Sequence, residues 1–325
     1  MHILGAGYAY PETIISNPFL AELSEEFAAS SITDLTGIKG RNSVLSPTYL
    51  RETKNKDTKD ALVSSSATPT ELAMKAIEMA LNAAGIDRTA LGLILGDCST
   101  PTETIPTEAH RIAKKLTLKI PSFDLFGSSA SLCLALETLS SWKDDKLPDY
   151  ILFVSTNTPT QKVDYTRGSE RLYFGDAATA LVLSPRIPGK LNLLSSFYGT
   201  DPQKKDLFIF DLFSHAKMLE SARSCVINQE SEVIKRAKND QSIEISKTKW
   251  IGSQFDFLST KTIGESFGIG LDNNWNNVDR CGNCLGSSAG CILAEKWDKI
   301  ATGNEILITQ VGVGFSFGYV LLRSA

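Results

Sequence analysis

The stretch Pro121-Ser-Phe-Asp-Leu-Phe-Gly-Ser-Ser129-Ala-Ser-Leu-Cys-Leu-Ala-Leu136 decides how the chain is read. A short run ends at Asp124-Leu125, small residues follow, and Leu132, Ala135 and Leu136 then recur at helical spacing. This is a strand passing through a tight turn into a buried helix, with Ser129 at the turn. A side chain at a helix start feels the helix dipole, an effect on the order of 1 kcal/mol. That lends a thiol some thiolate character but is far too little to ionise an alcohol. Ser129 is therefore either a nucleophile that needs an adjacent base, or a small residue that fits a crowded turn.

Outward from this stretch, short apolar runs alternate with helical patterns, the mark of an α/β protein. Ala90–Leu95, Tyr150–Val154, Ala178–Leu183 and Glu305–Thr309 read as buried strands. Thr68, Pro69 and Glu71 form a capping-box start with proline at the first helical position. Leu72, Ala73, Ala76, Ile77, Ala80, Leu81 and Ala84 then make one apolar stripe that Gly85 stops, so a helix is predicted over Pro69–Ala84. Arg51–Ser66, rich in Lys, Asp, Thr and Ser, reads as an exposed loop. Pro185-Arg-Ile-Pro-Gly189 is the best seam, dividing 1–185 from 186–325, and Lys190–Tyr198 reads as the first strand beyond it.

At 325 residues and 42% hydrophobic, the chain can bury one large core or two intimately packed ones. A formal charge of −4 excludes the basic footprint of a non-specific nucleic-acid binder. Six cysteines in a chain this long are no disulfide scaffold. Cys281-x-x-Cys284 spaces like half a zinc site, but no second pair follows and the histidines are His2, His110 and His215. Turn and core thiols are expected, and no metal. The apolar runs are strand length, and the N-terminus starts as a strand without a basic leader, so a cytoplasmic protein with no membrane partner is expected. Gly312-x-Gly314-x-x-x-Gly318 has the wrong spacing for a dinucleotide fingerprint and reads as backbone packing beside the active site.

Several landmarks, taken in order, resemble β-ketoacyl-acyl-carrier-protein synthase III. They are Ile3-Leu-Gly-Ala-Gly-Tyr-Ala-Tyr-Pro11, Thr36-Gly-Ile-Lys-Gly-Arg41, Thr70-Glu-Leu-Ala-Met-Lys-Ala76 and Ala83-Ala-Gly-Ile-Asp87. Phe174-Gly-Asp-Ala-Ala-Thr-Ala-Leu-Val182, Gly282-Asn283 and Gly312-Val-Gly-Phe-Ser-Phe-Gly318 complete the series. The resemblance implies the thiolase fold, five layers α/β/α/β/α in two similar halves, normally dimeric. It also implies a Cys, His and Asn trio that transfers an acyl group and condenses it with a malonyl thioester.

Carried over residue by residue, the resemblance places Ser129 at the cysteine position. In Lys249-Trp-Ile-Gly-Ser-Gln-Phe-Asp256, Ser253 stands for the histidine, Gln254 is kept and Asp256 replaces an asparagine. Asn283 is the retained member, able to donate to a carbonyl or simply to hold its turn. His215, on a segment expected as a helix beside the pantetheine tunnel, is a candidate base for Ser129, as is Asp256. His110 is expected at the surface or a dimer interface. Ser31 and Leu35 stand where the family stacks a Trp and an Arg on adenine, so that sandwich is not expected intact. Arg167 resembles a second stacking arginine, and Lys39, Arg41 and Arg167 are candidate phosphate contacts for coenzyme A or phosphopantetheine. No tightly bound cofactor is expected, with acyl-CoA or acyl-ACP as the thioester substrate.

Three readings follow. In the first, the chain is a non-catalytic or subordinate subunit beside an active synthase III-like partner, in fatty-acid-derived or polyketide-type specialised metabolism. In the second, it is a Ser129-dependent acyltransferase moving an acyl group from CoA or acyl carrier protein to a small acceptor, alone or as a homodimer. In the third, it only binds acyl carriers.

Overall fold

In the computed structural model, which describes every residue except 25, 212, 213 and 313, the apolar runs become one continuous nine-stranded sheet. Its strands are β1 (His2–Ala9), β2 (Leu93–Asp97), β3 (Ser122–Asp124), β4 (Ile151–Asn157) and β5 (Ala177–Ser184). The remainder are β6 (Leu191–Thr200), β7 (Lys249–Ile251), β8 (Glu305–Gly312) and β9 (Ser316–Ser324). They run in the order β7-β8-β9-β6-β1-β5-β4-β2-β3. β1 pairs with β5 along its length but with β6 only through His2 and Ile3, so two strand sets share just a corner.

The alternation of side chains along these strands builds the layers. Leu152 and Val154 of β4 and Val182 of β5 pack outward against the stripe of α1 (Pro69–Ala84), with Leu72, Ala76, Ile77 and Ala80. Their neighbours Ile151, Phe153 and Leu183 point the other way, into a central layer. That layer is made by α3 (Ser131–Ser141) and α6 (Ser287–Glu295), through Leu132, Leu136, Ile292 and Leu293. From the opposite side Ile306 and Ile308 of β8 and Val320 of β9 close onto the same layer. Leu307 and Leu321 face the far side, against Val233, Ile234 and Ala237 of α4 (Ala222–Gln241) and Ile263 of α5 (Phe257–Ser266). The result is the expected α/β/α/β/α sandwich. Strands buried on both faces explain why they read as continuous apolar runs.

The helix predicted over Pro69–Ala84 has those bounds, with Thr68 and Glu71 closing a reciprocal capping box and Gly85 at φ 67° ending it. α1 presses on β1 so closely that a Cβ on Gly7 would lie 2.1 Å from the Ala76 carbonyl oxygen.

Arg51–Ser66 is not the expected loop. Two short helices, Pro47–Thr53 and Thr58–Ser64, occupy most of it. The polar residues that suggested a loop serve as caps and anchors: Asp57 caps the second helix, while Ser46, just before the stretch, caps the first. Buried Asn55 donates to the carbonyls of Gln161 (3.1 Å) and Val163 (2.8 Å). The first apolar run also starts later than predicted, because Asp87 caps a single helical turn over Arg88–Ala90.

Candidate active site

β3 leads into a short helical turn, Ser128–Ala130, and then α3. Ser128 has φ 51°, the left-handed region, and this kink leaves Ser129 half-buried at the head of the helix. The space around the turn is filled by side-chain and backbone atoms. A Cβ on Gly286 would meet Ser131 Oγ at 2.3 Å, Asp97 Oδ2 at 2.6 Å and the Ser128 carbonyl at 2.6 Å. Gly312, at the end of β8, lies against Ser129 itself, as the glycine spacing suggested. Asp97, fully buried at the end of β2, accepts from Ser155 Oγ at 2.7 Å. Burial pushes its carboxyl up to about 7, against the opposing pull of that hydrogen bond.

Ser129, Ser253 and Asn283 line one cavity. Most of its wall is apolar: Phe174, Leu207, Phe208, Met218, Val226, Phe255, Leu285 and Phe315. Its polar side chains are neutral hydroxyls and amides, from Ser129, Ser253, Gln254, Asn283, Ser288 and Gln310, with Lys204 as the one cation among the described lining residues. Lys204 is occupied by Asp201 at 3.0 Å and lies over the Phe315 ring.

Ser253 follows the end of β7 and is held from behind. Its amide donates to Glu230 Oε1, and its Oγ accepts from the Val311 amide at 2.8 Å. Glu230 Oε1 also takes a bond from Thr309 Oγ1 at 2.7 Å, and Thr309 in turn accepts from Trp250 Nε1 at 2.9 Å. Burial pushes Glu230 up to about 7, partly opposed by the Ser253 and Thr309 bonds. Asn283 Oδ1 accepts from the Leu285 amide at 2.9 Å, which leaves its Nδ2 as the donor at the cavity. Sequence reasoning missed Glu230. The signal was an acid inside the apolar stripe Val226, Val233, Ile234, Ala237 of α4.

The structure separates other candidates from the cavity. His215 lies on no helix; it precedes a two-residue strand, Lys217–Met218, and its Nε2 donates to the Asn55 carbonyl at 2.6 Å. The segment meets the cavity at Met218, while His215 turns to the Asn55 turn, so it is not the base of Ser129. Asp256 is the N-cap of α5 and is held by Arg223 at 2.8 and 3.1 Å. Arg41 is no phosphate contact: it is buried, donating to Asn17 Oδ1 and the Leu172 carbonyl, both at 2.6 Å. Burial pulls its guanidinium down to about 9. Lys39 and Arg167 are exposed and off the cavity wall, and Arg167 pairs with Asp164 at 3.3 Å. His110 is exposed beside Thr107 Oγ1 at 2.8 Å. Cys281 and Cys284 are buried beside Cys291.

The family described as 3-oxoacyl-[acyl-carrier-protein (ACP)] synthase III matches residues 123–202, a span that begins just before the turn that holds Ser129. The β-ketoacyl-[acyl-carrier-protein] synthase III of Pseudoalteromonas atlantica is 25% identical over 99% of this chain and 98% of its own. The crystal structure of 3-oxoacyl-[acyl-carrier-protein] synthase III from Aquifex aeolicus VF5 matches with a TM-score of 0.87 at 22% identity, over 99% of both chains. A cysteine-to-serine variant of Xanthomonas campestris OleA, with bound lauric acid and lauroyl-CoA, matches at 0.83 and 15% identity, over 99% of this chain and 98% of that one. Motif order, layered fold and end-to-end similarity agree: the chain has the thiolase-type fold of the synthase III structures and is similar to β-ketoacyl-[acyl-carrier-protein] synthases III along its whole length.

Proposed function

We propose that this chain binds an acyl thioester in the cavity beside Ser129 and acts as a subordinate subunit of an acyl-condensing assembly. A synthase III-like partner chain supplies the nucleophile and base, and the thioester arrives on coenzyme A or an acyl carrier protein. The setting is fatty-acid-derived or polyketide-type metabolism.

One observation carries this reading: apart from Lys204, which is paired with Asp201, the polar lining is made of hydroxyls and amides, which hydrogen-bond a carbonyl well but do not take a proton from an alcohol at neutral pH. The long apolar wall suits an acyl chain. The OleA variant, with serine for a cysteine, holds lauric acid and lauroyl-CoA, so such a substitution is compatible with acyl binding on this fold.

The test is to incubate the purified chain with lauroyl-CoA, following released thiol and intact mass. Saturable binding is expected, with thiol release at the buffer rate and no adduct. A mass increase of one acyl group, lost in Ser129→Ala, would overturn the reading in favour of a serine acyltransferase. Co-purification from the native host, followed by mass spectrometry of bound proteins, identifies the partner.

A further inference from the structure

Ala222 and Val226 of α4 form part of the cavity wall, and Glu230 continues that stripe one helical turn further on. There it is 1% exposed, directly behind Ser253. Its Oε1 is doubly occupied, by the Ser253 amide and Thr309 Oγ1, while its Oε2 has no hydrogen-bond partner among the described residues. A buried carboxyl oxygen left in that state calls for a proton or for a donor that reaches it. Ser253 offers one. Its Oγ already accepts from Val311, so its single proton can go either to Glu230 or to a group in the cavity that Ser253 lines.

We propose that Glu230 is a positioning residue that sets the polarity of Ser253 at the cavity wall. With Glu230 ionised, the Ser253 proton is drawn back to the carboxylate and the cavity meets an acceptor. With Glu230 protonated, the hydroxyl is released to donate, beside the Asn283 amide, to a thioester carbonyl. This rests on the reading that the cavity takes an acyl thioester.

Burial brings Glu230 to about 7, so both states are within reach near neutrality. The charged groups on the surrounding elements are engaged elsewhere. Arg223 of α4 pairs with Asp256 at the head of α5, and Tyr319 of β9 donates to Asp240. On β7 Lys249 bonds Asn273, on the cavity wall Lys204 bonds Asp201, and β8 places no ionisable side chain between Ile306 and Val311. The Cys225 thiol of α4 packs near Val311.

The test uses a ketone analogue of lauroyl-pantetheine, with a methylene between sulfur and carbonyl. It keeps the carbonyl, is not hydrolysed and carries no phosphate to titrate. Its dissociation constant is measured from pH 5.5 to 8.5. One hydrogen bond gained or lost corresponds to roughly 3- to 10-fold, so wild-type affinity should fall by that factor as pH rises through about 7. Glu230→Gln should flatten the profile, and Ser253→Ala, a smaller change, should be both flat and weaker. A flat wild-type profile with clear binding, or a slope that persists in Glu230→Gln or in Ser253→Ala, overturns the proposal alone. Absence of saturable binding at every pH overturns the thioester reading, and this proposal with it.

Discussion

A Cβ built on Gly312 would stand 2.8 Å from the amide nitrogen of Ser129 and 3.1 Å from its Cβ, so the end of β8 and the head of α3 are in direct backbone contact. The glycine-rich close of the sequence and the Ser129 turn are thus one structural unit. Gly312→Ala gains roughly 0.4–1 kcal/mol from a less flexible unfolded chain. Overpacking against backbone that cannot swing aside costs about 1–3 kcal/mol. The second effect wins. A lower urea midpoint is expected, together with weaker acyl-thioester binding, because the displaced atoms belong to Ser129.

Ser129→Cys tests the chemistry of the turn. A thiol there inherits the dipole of α3, worth about 1 kcal/mol, and needs only partial ionisation to attack a thioester. Ser253 and Asn283 supply hydrogen bonds but no proton acceptor at neutral pH. Intact mass should show slow acylation of the variant by lauroyl-CoA at pH 8, none of the wild type, and no condensation with malonyl-CoA. An unmodified variant would show that Ser129 is not presented to the ligand.

Three fully buried carboxyls, Asp97, Asp176 and Glu230, are each raised by burial to about 7. In the unfolded chain they lose their protons near 4. Between those values the folded state binds more protons, so stability falls as pH rises from about 4 to about 7 and levels off above. The effect is read as a melting temperature lower at pH 8 than at pH 5. Asp97→Asn should lessen this slope by about a third, the share of one group in three, because Asp97 Oδ1 has no hydrogen-bond partner among the described residues and the amide remains neutral. Asp176→Asn should instead destabilise at all pH values. Both of its oxygens accept, from the Thr160 and Val44 amides, and an NH2 facing either donor leaves it unsatisfied.

The elements that the chain spells out locally were legible. α1 has its caps and its stripe within a few residues of each other, and the strands are buried on both faces, so their apolar runs are unbroken. Ser129, Ser253 and Asn283 were placed by motif order, and the structure brings them to one cavity. What failed depended on direction or on distant partners. His215 lies only three residues from cavity-lining Met218, and nothing local says that its ring turns to Asn55. Arg41 sits in a polar-looking segment, yet its partners Asn17 and Leu172 come from far along the chain and bury it. Glu230 lies on the apolar stripe of an otherwise charged helix, which marks it as buried, but its place behind Ser253 comes only from the contacts with Ser253 and Thr309.

The apolar wall offers a last test, one that separates chain binding from head-group binding. Val226 lines the cavity and packs against Val311 and Phe315. Val226→Phe puts an aromatic ring where the acyl methylenes would lie. Each methylene withdrawn from an apolar site costs about 0.8 kcal/mol, so excluding three or four costs about 3 kcal/mol, roughly a hundredfold in affinity. The lauroyl-pantetheine ketone should bind the variant about that much more weakly, whereas the acetyl homologue, with no methylenes to displace, should change less than about threefold. Equal losses for both ligands would place the chain elsewhere and reassign the apolar wall to packing alone.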